Sequence, residues 1–151
     1  FQGLQHPHMF IGVSIEDKQM VNHDVASSAL SDIELEEIML AVESYMEEAQ
    51  PFLNSGLTVK SLGRKLTIIP RNVSQAINVK ANKNFSEYVN TFRIKLACDL
   101  LSSPDTQDLS VMDVMLQSGF ITKSNFNRAF KAQTGTTPFD FKRKAQEKVK
   151  N

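Results

Sequence analysis

Two short stretches of this chain gather side chains that can read a nucleic acid. Lys123, Ser124, Asn127 and Arg128 fall close together, as do Arg71, Ser74, Gln75 and Asn78. An arginine fork bonds guanine O6 and N7 together, and an asparagine or glutamine amide does the same at adenine N6 and N7. Read bare, each set is also what a solvated helix face looks like. Their meaning depends on the elements that hold them. No competing chemistry is visible: the sequence has no GxGxxG, GxxxxGK[ST], HExxH or CxxC pattern. The three histidines, His6, His8 and His23, sit in an aperiodic N-terminal stretch with no cysteine nearby. A metal site there is disfavoured, and no metal, cofactor or catalytic role is expected anywhere in the chain.

Residues 109–142 supply the clearest scaffold. Ser110 and Asp113 form a capping box, and Val111, Val114 and Met115 recur at helical spacing. Gly119 stops that helix in a left-handed turn. Phe120 is a buried anchor, Thr122 caps a second helix, and Phe126, Ala129 and Phe130 form its apolar stripe. Gly135 ends it, and Thr137-Pro138 opens a third, with proline at the first helical position. A buried helix, a glycine turn and a helix with Lys123, Ser124, Asn127 and Arg128 outward make the helix-turn-helix pattern, whose second helix enters the major groove.

Residues 57–93 repeat this pattern. Thr58 caps a helix carrying Val59, Leu62 and Leu66, and Pro70 opens another with Val73, Ala76 and Ile77 inward. Leu57, Leu62 and Leu66 match Leu109, Val114 and Ser118 at an offset of 52, and Val73, Ile77 and Tyr88 match Phe126, Phe130 and Phe141 at 53. Such a period marks two structural copies. Between them Asn84 and Glu87 cap a long helix running to about Ser102, with Phe85, Tyr88, Val89, Phe92, Leu96, Leu100 and Leu101 on one face. At 1.5 Å per residue it spans roughly 27 Å, enough to hold two reading helices about one DNA turn apart. Cys98 on this helix reads as packing. The N-termini at Pro70 and Thr122 can offer N–H groups to phosphates.

Upstream lies a different character. Residues 1–30 read as an arm, beginning with Phe1-Gln2-Gly3, which resembles the scar of a cleaved tag. Residues 31–50 form an acidic amphipathic helix: Ser31 and Glu34 cap it, and Leu35, Ile38, Met39, Val42, Tyr45, Met46 and Ala49 share a face. It can pack on the domain or pair with its copy in a dimer, and packing is favoured. Residues 51–151 carry the tandem helix-turn-helix unit. The net charge of zero hides a split, because residues 1–56 hold ten acids and one base while the remainder holds sixteen bases and seven acids. A basic half points to a polyanionic partner. There is no apolar run long enough to span a membrane, and a lone cysteine fits a reducing compartment.

These residues resemble the AraC/XylS family of bacterial transcription regulators. Gly119-Phe120, Ser124, Phe126, Asn127, Arg128, Phe130, Lys131, Thr134-Gly135 and Thr137-Pro138 follow its C-terminal signature. Leu57-Thr58, Leu62, Leu66, Ser74, Asn84-Phe85, Tyr88-Val89, Arg93, Ala97 and Leu100-Leu101 follow its looser first half. The resemblance covers about residues 52–145. It implies an all-α fold: a seven-helix, homeodomain-like tandem helix-turn-helix domain with an N-terminal arm, its recognition helices in successive major-groove segments of double-stranded DNA. By matching positions, Arg71, Ser74, Gln75 and Asn78, then Lys123, Ser124, Asn127 and Arg128, face the bases. It also implies an activator in the cytoplasm that contacts RNA polymerase and follows an upstream sensor domain absent from this chain; the flavour of residues 70–93 resembles members tethered behind a membrane-bound sensor. Four residues depart from the pattern. Gly63 and Met115 stand where the family favours alanine, and Gly63 is expected to weaken its helix by about 0.5–1 kcal/mol. Phe141-Lys142 replaces the usual Tyr-Arg, Lys142 keeping the charge but losing the planar fork expected to hold a phosphate.

Overall fold

The computed structural model describes residues 29–151. The arm, the three histidines and the tag-like N-terminus fall largely or wholly outside these residues. Among the described residues there are seven α-helices and no strand: α1 (Asp32–Ala49), α2 (Val59–Leu66), α3 (Pro70–Ala76), α4 (Phe85–Ser102), α5 (Val111–Gln117), α6 (Lys123–Thr134) and α7 (Pro138–Val149). The expected boundary signals are the ones used. Ser31–Glu34, Thr58–Ser61, Asn84–Glu87 and Ser110–Asp113 close reciprocal capping boxes. Thr122 and Thr137 cap α6 and α7 through their hydroxyls. Each cap satisfies an N–H that the first helical turn leaves without a partner.

Two hydrophobic cores share α4. The first joins Leu35, Met39, Val42 and Met46 of α1 to Phe52, Leu62, Val73, Ala76, Ile77, Tyr88 and Val89. The second joins Ile94, Ala97 and Leu101 to Val114, Met115, Phe120, Phe126 and Phe130. The N-terminal half of α4 thus belongs to one unit and the C-terminal half to the other, so that one continuous helix fixes their spacing. The acidic helix α1 packs along α3 and contributes its apolar stripe to the first core. Each such side chain contributes about 1.5–3 kcal/mol on burial. Cys98 is half-buried, and burial, with Asp99 nearby, pushes its thiol pKa up, which keeps it protonated and unreactive.

Arg93 ties the units together across α4. Its Nε donates to the Phe52 carbonyl at 2.7 Å and its Nη2 to the Asn54 carbonyl at 3.0 Å. Its guanidinium also lies 5.6 Å from the centroid of the Phe120 ring, in the turn between α5 and α6. One side chain therefore joins the loop before α2 to the second unit's turn. Gly119 sits at the same junction with φ +94°, and a β-carbon there would lie 2.5 Å from the Phe52 carbonyl oxygen. Glycine is required twice over, for its backbone angle and for this approach.

Gly63 has a similar reason. A β-carbon would meet the Ile68 carbonyl oxygen at 2.6 Å and Pro70 at 3.2 Å. The Gly63 carbonyl in turn accepts the Ile68 N–H at 2.8 Å. The residue expected only to weaken α2 is the one that lets the turn into α3 close against it. Met115 finds its room and is buried in the second core. Lys142 is half-buried and donates to the Leu109 carbonyl, so its ammonium fastens α7 to the loop before α5.

Candidate nucleic-acid interface

The turn that aims α6 is built from residues 118–122. The buried Ser118 hydroxyl donates to the carbonyls of Val114 and Met115 at 2.7 and 3.0 Å, and the Phe120 N–H bonds to Met115 O at 3.1 Å. These contacts wind up the end of α5, after which Gly119 reverses the chain. Phe120 then packs on Phe126, which packs on Phe130, which packs on Phe141, at centroid separations of 5.2, 5.6 and 5.5 Å. With Phe126 and Phe130 buried, the helical advance of about 100° per residue puts Ser124 and Arg128 roughly opposite the core.

All four residues expected to read DNA from α6 are exposed, and they divide between two flanks and a ridge. Lys123, Asn127 and Lys131 border an apolar groove of about 550 Å³, whose other walls are the first turns of α5 and α7, including Met112 and Phe139. Arg128 and Asn125 border a cleft of about 570 Å³ between α6 and the first turns of α4. Ser124 lies on the ridge between them. The Arg128 Nη2 donates to Asn125 Oδ1 at 2.9 Å. Neither Lys123, Arg128 nor Lys131 forms an ion pair among the described residues, so this face keeps its positive charge free.

The first copy is arranged less openly. Arg71 and Asn78 are exposed, but Ser74 and Gln75 are half-buried. The α-helical part of the reader ends at Ala76, and residues Ile77–Ala81 form a π-turn closed by Asn82 at φ +52°. Asn78 thus sits in the π-turn, past the last α-helical residue of this reader. The N–H groups of Asn72 and Val73 both bond to the Ile69 carbonyl, which removes them as phosphate donors at this N-terminus. Lys80 bonds Asp32 at 2.6 Å and Glu36 at 3.1 Å, both on α1. The Asp32 bond first, then Glu36, raises its pKa. The acidic helix thus neutralises the one lysine at the end of the first reader.

Sequence reasoning gave no role to three residues of this architecture. Lys131 and Arg93 stood among the residues that carry the resemblance, and Asn125 had a local signal in its i,i+3 spacing to Arg128 on one helix. The Arg93 contacts, 41 and 39 positions away, needed the fold. No group of His, Cys, Asp and Glu that could hold a metal is present among the described residues, and no described helix is long and apolar enough to cross a membrane.

This geometry is that of a tandem helix-turn-helix domain, and comparison places it. A family described as "Helix-turn-helix domain" matches residues 62–144, more than half of the chain. The chain belongs to this helix-turn-helix family, of the AraC type, whose members regulate transcription. It is 30% identical over 88 residues to an uncharacterized HTH-type transcriptional regulator, YtdP, of Bacillus subtilis. It is 29% identical over 103 residues to another, YijO, of Escherichia coli. The matches take 58% and 68% of this chain but only 11% and 34% of those proteins. Among solved structures, the C-terminal domain of AraT, a response regulator from Geobacillus stearothermophilus, superposes with a TM-score of 0.59 at 26% identity, covering 78% of this chain and 88% of that one. The C-terminal domain of the response regulator yesN from Fusobacterium nucleatum gives 0.55 at 22%, covering 71% and 95%, and shares the fold.

Proposed function

We propose that this chain is the DNA-reading part of a transcription regulator that grips double-stranded DNA with α3 and α6 in successive major-groove segments. The observation that supports this best is the pair of helix-turn-helix units held by one helix, with a cationic and amide face on α6 that holds no ion pair among the described residues. In this reading Lys123, Ser124, Asn127 and Arg128 contact one segment and Arg71, Ser74, Gln75 and Asn78 the other. The second unit supplies most of the grip, because its reader is longer and its cations hold no ion pair among the described residues. The remaining expectations belong to the same proposal: action in the cytoplasm, contact with RNA polymerase as an activator, and control by an upstream sensor domain, on a membrane-tethered full-length protein.

A mobility-shift titration against DNA upstream of its own gene, repeated across salt concentrations, tests the reading. Sequence preference together with affinity that falls as salt rises is expected. Binding indifferent to both sequence and salt would sink it. Arg128→Ala should lose discrimination at one base pair by about 1–3 kcal/mol; an equal loss on all sequences would make Arg128 a phosphate contact.

A second reading, self-association through residues 32–49, is favoured by exposed Ile33 and Leu40 on α1. Deleting α1 cannot test it, since Leu35, Met39, Val42 and Met46 would leave the first core. Ile33→Glu with Leu40→Glu keeps those residues, and light scattering then shows whether a dimer is lost.

A further inference from the structure

We infer that Asn125 sets the orientation of the Arg128 guanidinium and so helps decide which base pair α6 selects. This rests on the proposed reading of Arg128 as a DNA contact. Arg128 Nη2 donates to Asn125 Oδ1 at 2.9 Å, one turn earlier on the same helix. An exposed arginine samples many rotamers, and ordering it on a partner costs affinity. A charge-assisted bond formed before DNA arrives removes part of that cost. The guanidinium has five donors, so the bond to Asn125 leaves others for a two-point contact with guanine.

The position of Asn125 suits a holder better than a reader. The helical advance puts it on the α4 flank of α6, away from the Ser124 ridge. Its own N–H donates to the Thr122 hydroxyl at 3.3 Å, which fixes it in the capped first turn. Across the cleft stands Glu87, the carboxylate that would otherwise attract Arg128. That carboxylate accepts the Asn84 N–H at 2.9 Å, and Arg128 is paired with Asn125 instead. Asn125 therefore holds the fork on α6 rather than letting it fold onto α4. As a neutral amide it supplies the acceptor without placing a negative charge beside phosphates.

A double-mutant cycle tests this in the intact chain: wild type, Asn125→Ala, Arg128→Ala and both together. Each is titrated against a selected operator and its single-base variants. Asn125→Ala should lower affinity for the selected operator about three- to tenfold. It should flatten preference at the same base pair that Arg128→Ala relaxes, and add nothing once Arg128 is gone. Asn125→Asp keeps the acceptor and should keep the base preference, although its charge lowers affinity on every sequence. An unchanged melting temperature confirms that the exposed substitutions leave the fold intact. Additive effects, or an equal loss from Asn125→Ala on every operator, would overturn the inference while leaving Arg128 as a DNA contact. If Arg128→Ala changes affinity for no operator, the reading of Arg128 itself fails, and this inference with it.

Discussion

The two helix-turn-helix units solve one problem with different materials. The second unit centres on a run of aromatic rings, Phe120, Phe126, Phe130 and Phe141, that fixes α6 from below. Its reader is an unbroken helix ending at Gly135 with φ +78°. The first unit sets a smaller aromatic group, Tyr88 on Phe92 on Phe52, among aliphatic and methionine side chains and needs α1 to complete its core. Its reader is short, passes into a π-turn and lies beside an acidic helix that occupies Lys80. A π-turn inside a helix often marks a functional position. The difference teaches that duplication kept the scaffold while the electrostatics of the reading faces diverged.

Breaking the aromatic run should have the largest effect. Phe130 is fully buried and contacts the rings of both Phe126 and Phe141. Phe130→Ala should destabilise the protein by about 3–5 kcal/mol in denaturant unfolding, because the rigid rings cannot collapse into the space. A loss below about 1 kcal/mol would show that the second core repacks freely.

The glycines sharpen the comparison next. Gly119→Ala forces a side chain onto φ +94° and against the Phe52 carbonyl, and should cost roughly 2–4 kcal/mol. Gly63→Ala meets backbone without the unfavourable angle and should cost about 1–3 kcal/mol, opposite in sign to what helix propensity alone gives. Gly135→Ala is the control: nothing lies within 4 Å of its added carbon, so only the left-handed angle remains, about 1–2 kcal/mol. Thermal unfolding should rank them in that order. A stabilised Gly63→Ala would mean that the α2–α3 turn yields.

What the sequence made legible here was local. Caps at Ser31, Thr58, Asn84, Ser110, Thr122 and Thr137, stops at Gly119 and Gly135, and the apolar stripes all depend on neighbours within a turn or two. Of the candidate site only exposure was legible, and unevenly: the four α6 residues are exposed as their spacing requires, while Ser74 and Gln75 on α3 are half-buried. The rest depends on contacts between distant residues. Arg93 reaches the Phe52 carbonyl 41 positions away, and Lys80 reaches Asp32 48 away. Periodicity cannot show which carbonyl a guanidinium will find. Nor could it show the π-turn at Ile77–Ala81, since no proline or glycine interrupts that stretch.

The electrostatic contrast gives a smaller effect. Asp32→Asn with Glu36→Gln releases Lys80 while leaving the apolar face of α1 untouched. The freed ammonium should add about one phosphate contact, steepening the dependence of log affinity on log salt by about one. Affinity at low salt should rise severalfold on all sequences alike, without changing base preference. An unchanged slope would show that Lys80 points away from bound DNA.

The smallest effect compares Tyr88 with its counterpart Phe141. The Tyr88 hydroxyl is buried with no hydrogen-bond partner among the described residues, whereas Phe141 carries no hydroxyl. Burial, then the charges of Glu43 and Glu47, pushes the Tyr88 pKa from 10.0 up to about 12. Between those values the unfolded tyrosine ionises and the native one does not. The native state therefore holds more protons, and stability falls as pH rises through that window. Well below pH 10.0 both states are neutral and this loss is absent. Tyr88→Phe should remove the alkaline loss and raise stability at neutral pH by about 1 kcal/mol, because an unpaired buried hydroxyl costs free energy that a ring carbon does not. The measurement is denaturant unfolding of both proteins at pH 7 and again above pH 10. A less stable Tyr88→Phe would mean that the hydroxyl has a partner in solution, and that the two cores differ more than their aligned rings suggest.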